Sequence, residues 1–177
     1  LVGTGTAALA ELREAGRDVL VFVTEGRPFM DGARLASWEL RQADIEHRVL
    51  PDAAVGCLFG REPVDAVLNS AEWIAGNGDV GALVGSSVIA TAARSNRDAN
   101  GQGPRVIVSG IEAARHADTP TGRDIPAELR PAHELTAYLS DVPLPPADVL
   151  VPAADVVPAD DVDVLVTEAG ETGSGGY

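Results

Sequence analysis

The stretch VDAVLNSAEWIAGNGDVGALVGSSVIATAA, residues 64–93, decides the fold. It opens on VDAVLN (64–69), a short apolar strand of the kind buried in a parallel sheet. A loop follows that carries one carboxylate, Glu72, and then the tight turn Asn77-Gly78-Asp79. The continuation DVGALVGSSVIATAARSN (79–96) is rich in small residues and reads as a closely packed helix, with Asp79 as its N-cap. Strand, loop and helix in that order form one repeat of an α/β fold, and ligands of open α/β sheets bind at the carboxyl ends of the strands.

The same unit recurs on either side. Upstream, LVGTGTAALAELREAG reads as a glycine loop entering an amphipathic helix, with Leu9 and Leu12 on one face and Gly16 near the stop. DVLVFV (18–23) is a second buried strand. TEGRPFMDG is a loop, and ARLASWELRQAD (33–44) is a helix with Leu35, Trp38 and Leu40 near one side. IEHRVL (45–50) alternates as a more exposed strand, and DAAVGCLFG is a short helix with Asp52 as N-cap. Downstream, RVIVSG (105–110) is another buried strand. Short apolar strands alternating with helices indicate a doubly wound, mostly parallel Rossmann-like sheet with helices on both faces. After residue 110 prolines accumulate, and the chain is expected to wrap the domain in extended segments. DVDVLV (161–166) is a candidate last strand, and TGSGGY at the end is expected to fray.

Composition narrows the function. The 177 residues are 45% hydrophobic and 4% aromatic, so the core is built from Ala, Val, Leu and Ile. The net charge of −14 argues against nucleic-acid binding, which needs clustered Lys and Arg. The chain has no lysine, which removes Schiff-base chemistry and the compact ammonium anchor for phosphate. No apolar run reaches the roughly 20 residues of a membrane helix, and no signal-peptide pattern opens the chain. A single cysteine, Cys57, suits a reducing cytoplasm, and its apolar neighbours suggest a buried structural role. His47, His116 and His133 share no metal-ligand spacing. Neither a metal nor a cofactor is expected.

The candidate site residues lie on three loops. GTGTA (3–7) brings Gly3, Gly5 and Thr6 to a helix N-terminus, where backbone N–H groups bind anions; a tight packing turn is the alternative. The segment 24–40 joins a strand's carboxyl end to a helix. In it Arg34 could hold an anion bidentately, while Glu25 and Arg27 read better as a structural pair. Glu72, beside Trp73 and Ile74, reads as a general acid/base if those side chains dry it and as a solvated loop glutamate if they do not. For Asp79 the capping role is favoured.

The segments TEGRPFMDGARLASWELRQADIEHRVLPDAA, DAVLNSAEWIAGNGDVGALVGS and DTPTGRDIPAELRPAHEL (118–135), with the closing DVVPADDVDVLVTEAGE, resemble one family along nearly the whole chain. It comprises methylthioribose-1-phosphate isomerase, ribose-1,5-bisphosphate isomerase and the α/β/δ subunits of translation initiation factor 2B, and the likeness is stronger to the isomerases. The resemblance implies a Rossmann-like domain, an N-terminal helical domain outside the given chain, homodimers or paralogous heterodimers, and a sugar or sugar phosphate as small-molecule partner. It implies an aldose–ketose isomerisation run by a cysteine and an aspartate. The cysteine would fall just before Leu1, so a fragment is expected.

By that resemblance, Ser70-Ala71-Glu72 stands where the isomerases have Gly-Ala-Asp, so the catalytic aspartate position falls on Glu72. Asn77 and Asp79 keep the Asn-Gly-Asp turn. Ala82-Leu83 replaces a substrate-holding Asn-Lys, and Asp31 replaces a glutamine before Gly-Ala-Arg. An acidic residue facing a sugar phosphate repels it, and losing the lysine removes about 1.5–3 kcal/mol of charged hydrogen bonding. Two readings follow. One is a divergent isomerase acting on an altered, less phosphorylated substrate, with Glu72 as acid/base, Asp31 accepting hydroxyl hydrogen bonds, and Arg34 with the GTGTA loop holding any anion. The other is a non-catalytic regulatory or assembly subunit with a degenerate pocket.

Overall fold

The computed structural model describes residues 4–126, 128–137 and 148–173. Helix α1 (Thr4–Glu14) leads into strand β1 (Leu20–Thr24). One π-helical turn (Gly32–Ala36) then runs into α2 (Ser37–Gln42) and β2 (Glu46–Leu50). A short helix α3 (Val55–Phe59) precedes β3 (Ala66–Ser70), β4 (Trp73–Ala75) and β5 (Val80–Leu83). Helix α4 (Ser86–Ser95), β6 (Arg105–Ser109), the two-residue β7 (Arg115–His116) and α5 (Ala132–Thr136) come next. Strands β8 (Ala154–Val157), β9 (Val164–Thr167) and β10 (Gly170–Gly173) close the described chain.

The parallel strands make the expected α/β framework. β1 pairs with β2 in parallel, and β3, β6 and β9 run parallel in a sheet edged by antiparallel β10. Successive residues of a strand face opposite sides, and β3 uses both. Val67 enters a core with Val106, Val108, Leu165 and the α4 residues Ala90 and Ala93. Leu68 packs against a second cluster formed by Leu9 of α1, Val23 of β1, and Ala36 and Leu40 beside α2. Helices therefore cover both faces. The small side chains of α4 let it approach the sheet closely, and Ala90 and Ala93 are fully buried.

Several features differ from the sequence reading. Residues 79–96 are not one helix: β5 runs antiparallel to β4 and β8, and α4 begins only at Ser86, after Gly85 turns the chain at φ 101°. This makes a second sheet, ordered β7-β4-β5-β8, on the far side of the first core. A run of small residues carries little period-2 or period-3.6 contrast, so tertiary pairing chose the strand. Gly81 permits that pairing, because a Cβ there would lie 2.9 Å from Trp73 Cβ. The proline-rich C-terminal part is more than wrapping: the candidate strand at 161–166 is present as β9, and β8 and β10 were not expected. The expected frayed end, TGSGGY, lies for the most part outside the described residues.

Helix α2 also turns differently. It buries Leu40, while Trp38, and Leu35 in the π-helical turn before it, face outward. Leu12 of α1 is likewise exposed. Cys57 is exposed, contrary to expectation, because the one-turn α3 directs Val55 and Phe59 toward the core, a face that Cys57 does not share.

Candidate functional site

The loops at the carboxyl ends of β1, β3 and β6 are set by close backbone fits. After β1 the chain doubles back over residues 25–31. Gly32 sits so near the end of β1 that a Cβ would stand 1.8 Å from the Thr24 carbonyl oxygen. Gly26 (φ 76°) and Met30 (φ 61°) are left-handed, and the Arg27–Pro28 peptide is cis. Asp52 fastens this loop by accepting hydrogen bonds from Gly26 N (2.8 Å) and Arg27 N (2.6 Å). Its carboxylate is thus not the N-cap of its own helix, which begins without a side-chain cap. The Arg27 guanidinium donates to the Leu135 carbonyl at 2.8 Å, and Arg130 lies 5.6 Å from the centre of the Phe29 ring. The loop that presents Asp31 and Arg34 is thereby anchored on both sides.

Asp31 and Arg34 are both exposed, and neither side chain has a hydrogen-bond or ion-pair partner among the described residues. Glu72 shares that condition. Its backbone N–H donates to the Gly81 carbonyl at 2.9 Å, fixing the start of β4, while its side chain is exposed. Trp73 and Ile74 do not dry it: Ile74 points into the core, and the Trp73 ring stacks on His116 at 3.6 Å. Beside this end of β3, Asn69 is buried and its amide reaches the Ser86 carbonyl at 3.4 Å, tying the strand to the start of α4.

Other expected site residues are engaged by the protein itself. Gly5 and Thr6 lie within the first turn of α1; Gly3 falls outside the described residues. Thr6 is buried, and its hydroxyl donates to Glu39 of α2 at 2.8 Å. Asp79 is not a helix cap. One of its oxygens accepts from Asn77 Nδ2 and from Gly122 N, each at 2.9 Å, and the other accepts from Ala159 N at 2.9 Å. Burial alone would raise its pKa, but the hydrogen bonds from Asn77, Ala159 and Gly122 hold it below the ordinary aspartate value. Asn77 Oδ1 accepts from Asp79 N at 3.1 Å, an Asx turn.

Sequence reasoning missed Asp155, whose carboxylate accepts from Gly85 N (2.8 Å), Ser87 N and Ser87 Oγ (2.9 Å). It occupies the positive end of α4 that an outside anion could otherwise use. Its role depends on the β5–β8 pairing, which brings residues 70 positions apart together, so no local signal marked it. Of the pair that replaces Asn-Lys, Ala82 is fully buried in the core and Leu83 is 44% exposed. Among the described residues no cluster of His, Cys, Asp and Glu could hold a metal ion, and no helix is long and apolar enough to cross a membrane.

Parallel strands with helices on both faces define the class, a Rossmann-like α/β fold. The chain belongs to the Initiation factor 2 subunit family, whose sequence profile it matches over residues 3–173. It is 38% identical over 170 residues to the methylthioribose-1-phosphate isomerase of Desulforudis audaxviator, an alignment covering 95% of this chain and 47% of that protein. The corresponding enzyme of Pseudomonas entomophila is 37% identical over 171 residues, covering 95% and 46%. In structure it is similar to 5-methylthioribose 1-phosphate isomerase from Pyrococcus horikoshii (TM-score 0.83, 25% identity, 92% of this chain and 44% of that one). It is also similar to the delta subunit of translation initiation factor eIF-2B from A. fulgidus (TM-score 0.84, 26% identity, 96% and 48%). The chain spans about half the length of these relatives.

Proposed function

We propose that this chain is the Rossmann-like part of a divergent aldose–ketose isomerase of the methylthioribose-1-phosphate isomerase type. Glu72 moves the proton between adjacent sugar carbons as general acid/base. The observation that carries the proposal is the state of Glu72: it stands at the carboxyl end of β3, its backbone is fixed by Gly81, and its side chain is exposed with no partner among the described residues. A carboxylate so placed can meet a substrate, and general acid/base catalysis by a positioned side chain contributes about 10²–10⁴-fold in rate. Asp31 accepts hydrogen bonds from sugar hydroxyls, and Arg34 holds whatever anionic group the substrate keeps.

The substrate carries little phosphate charge. Exposed Leu83 offers apolar surface where the resemblance expects a lysine, the net charge of −14 opposes a dianion, and Asp155 already fills the start of α4. A second reading, a non-catalytic regulatory or assembly subunit of the initiation-factor type, is favoured by one specific observation. The Asn77–Asp79 turn, at the edge of the expected pocket, spends its polar atoms inside the protein.

A turnover assay over aldose 1-phosphates and unphosphorylated pentoses, with Glu72→Gln beside the wild type, separates the two. The isomerase reading expects turnover of at least one sugar and a loss of about 10²–10⁴-fold in the variant. Equal turnover by the variant removes Glu72 from the mechanism, and no turnover of any sugar leaves the subunit reading.

A further inference from the structure

A cleft is present that Glu72, Asp31 and Arg34 do not line. It has a volume of about 480 Å³ and sits between β7, the end of β4 and the β9–β10 turn. Its floor is apolar, from Ile74, Ala75 and Ala169. Its polar wall is the two-residue strand β7, held in register by Ile74↔Arg115 and Ala75↔His116.

Both β7 side chains are fixed but unspent. Arg115 gives its Nε to the Glu112 carboxylate (3.0 and 3.2 Å). Its two terminal nitrogens have no partner among the described residues. Glu112 is held in turn by the Thr167 hydroxyl, at 2.5 Å. That hydrogen bond, and then Arg115, keep the Glu112 carboxyl below the ordinary glutamate range, so the guanidinium stays anchored. The His116 ring lies flat on Trp73, with 3.6 Å between centres and 17° between planes. Its nitrogens likewise find no protein partner among the described residues, and the buried Trp73 Nε1 has none either. A guanidinium fixed through Nε presents its other edge as a planar fork, the shape that binds a carboxylate or a phosphate with two hydrogen bonds. Ordering it beforehand lowers the entropy cost of binding.

We propose that this cleft is a binding site for a small oxyanion, a carboxylate or a phosphate monoester, held by the terminal nitrogens of Arg115 with His116 beside it. The exposed carboxylate of Glu171 also lines the cleft and disfavours high negative charge. A singly charged carboxylate with an apolar body is therefore the better fit.

The test is calorimetric or NMR titration of the protein with acetate and, separately, with inorganic phosphate, in a buffer otherwise containing only chloride. Saturable one-site binding of either probe is expected, with acetate favoured. Arg115→Gln should weaken it at least about tenfold. Arg115→Lys, which keeps the charge and loses the fork, should fall between. His116→Ala leaves the Glu112–Arg115 pair intact and should weaken binding severalfold; because it also loses the stack on Trp73, binding is read well below its melting temperature, so a folding defect in the Arg115 variants cannot mask the result. Tighter phosphate binding identifies the ligand class as a phosphate monoester. Absence of saturable binding by both probes, or undiminished binding by Arg115→Gln, overturns the proposal.

Discussion

Two sets of carboxylates stand on the strands and loops of this domain, and they differ in what they hold. Asp52, Asp79, Asp155 and Asp163 each accept backbone N–H groups from distant segments and fasten loops to the sheets. Asp31 and Glu72 hold nothing among the described residues. An aspartate's short stem favours the first role, since it reaches backbone N–H groups at little entropy cost. The difference separates carboxylates bound into the framework from carboxylates left open to solvent. A residue type in a loop does not by itself reveal which it is.

Breaking the framework should cost most. Gly32→Ala puts a methyl group 1.8 Å from a backbone oxygen that cannot move without dislodging β1. The expected loss is about 3 kcal/mol or more, measured by urea unfolding. Asp79→Ala releases three donors, two of them 43 and 80 positions along the chain, and should cost about 2–3 kcal/mol in the same measurement. A loss within the scatter of ordinary surface substitutions would place Asp79 with the free carboxylates.

Acid sharpens the same contrast. At Asp163, burial works to raise the pKa, but hydrogen bonds from Arg97 and Val106 N bring it below the ordinary value, as at Asp79. A carboxyl whose folded pKa lies below its unfolded value stabilises the protein above the unfolded pKa, near 3.8, and that stability disappears as pH falls through the folded value. Stability should therefore drop on acidification from about pH 4 downward. Asp79→Asn should flatten part of that slope, as followed by thermal melts across pH.

The smallest expected effect on stability is at Leu83. Leu83→Lys replaces an exposed side chain and should shift stability by no more than about 0.5 kcal/mol. If the loss of an ammonium at this position set the substrate's charge, the variant gains turnover on the phosphorylated members of the panel relative to the unphosphorylated ones.

Much of the fold was legible because its signals are local. Strands 20–24, 46–50, 66–70 and 105–109 are short apolar or alternating runs, and each falls within two residues of its expected place. The second sheet was not legible. β5 is a small-residue run whose strand character comes from β8, about 70 positions away, and Asp79 finds its partners 43 and 80 positions along the chain. The position of Glu72 after β3 was readable from the strand alone. Its exposure was not, because that depends on Ile74 turning into the core and Trp73 stacking on His116.

The central claim is that Glu72 is free to act while Asp79 is bound to the framework. The most direct measurement takes Glu72→Gln and Asp79→Asn side by side, recording unfolding free energy and sugar turnover for each. The account predicts that Glu72→Gln keeps wild-type stability within about 0.5 kcal/mol and loses turnover, whereas Asp79→Asn loses stability first. Wild-type turnover in Glu72→Gln, or a stability loss there as large as at Asp79, would contradict it.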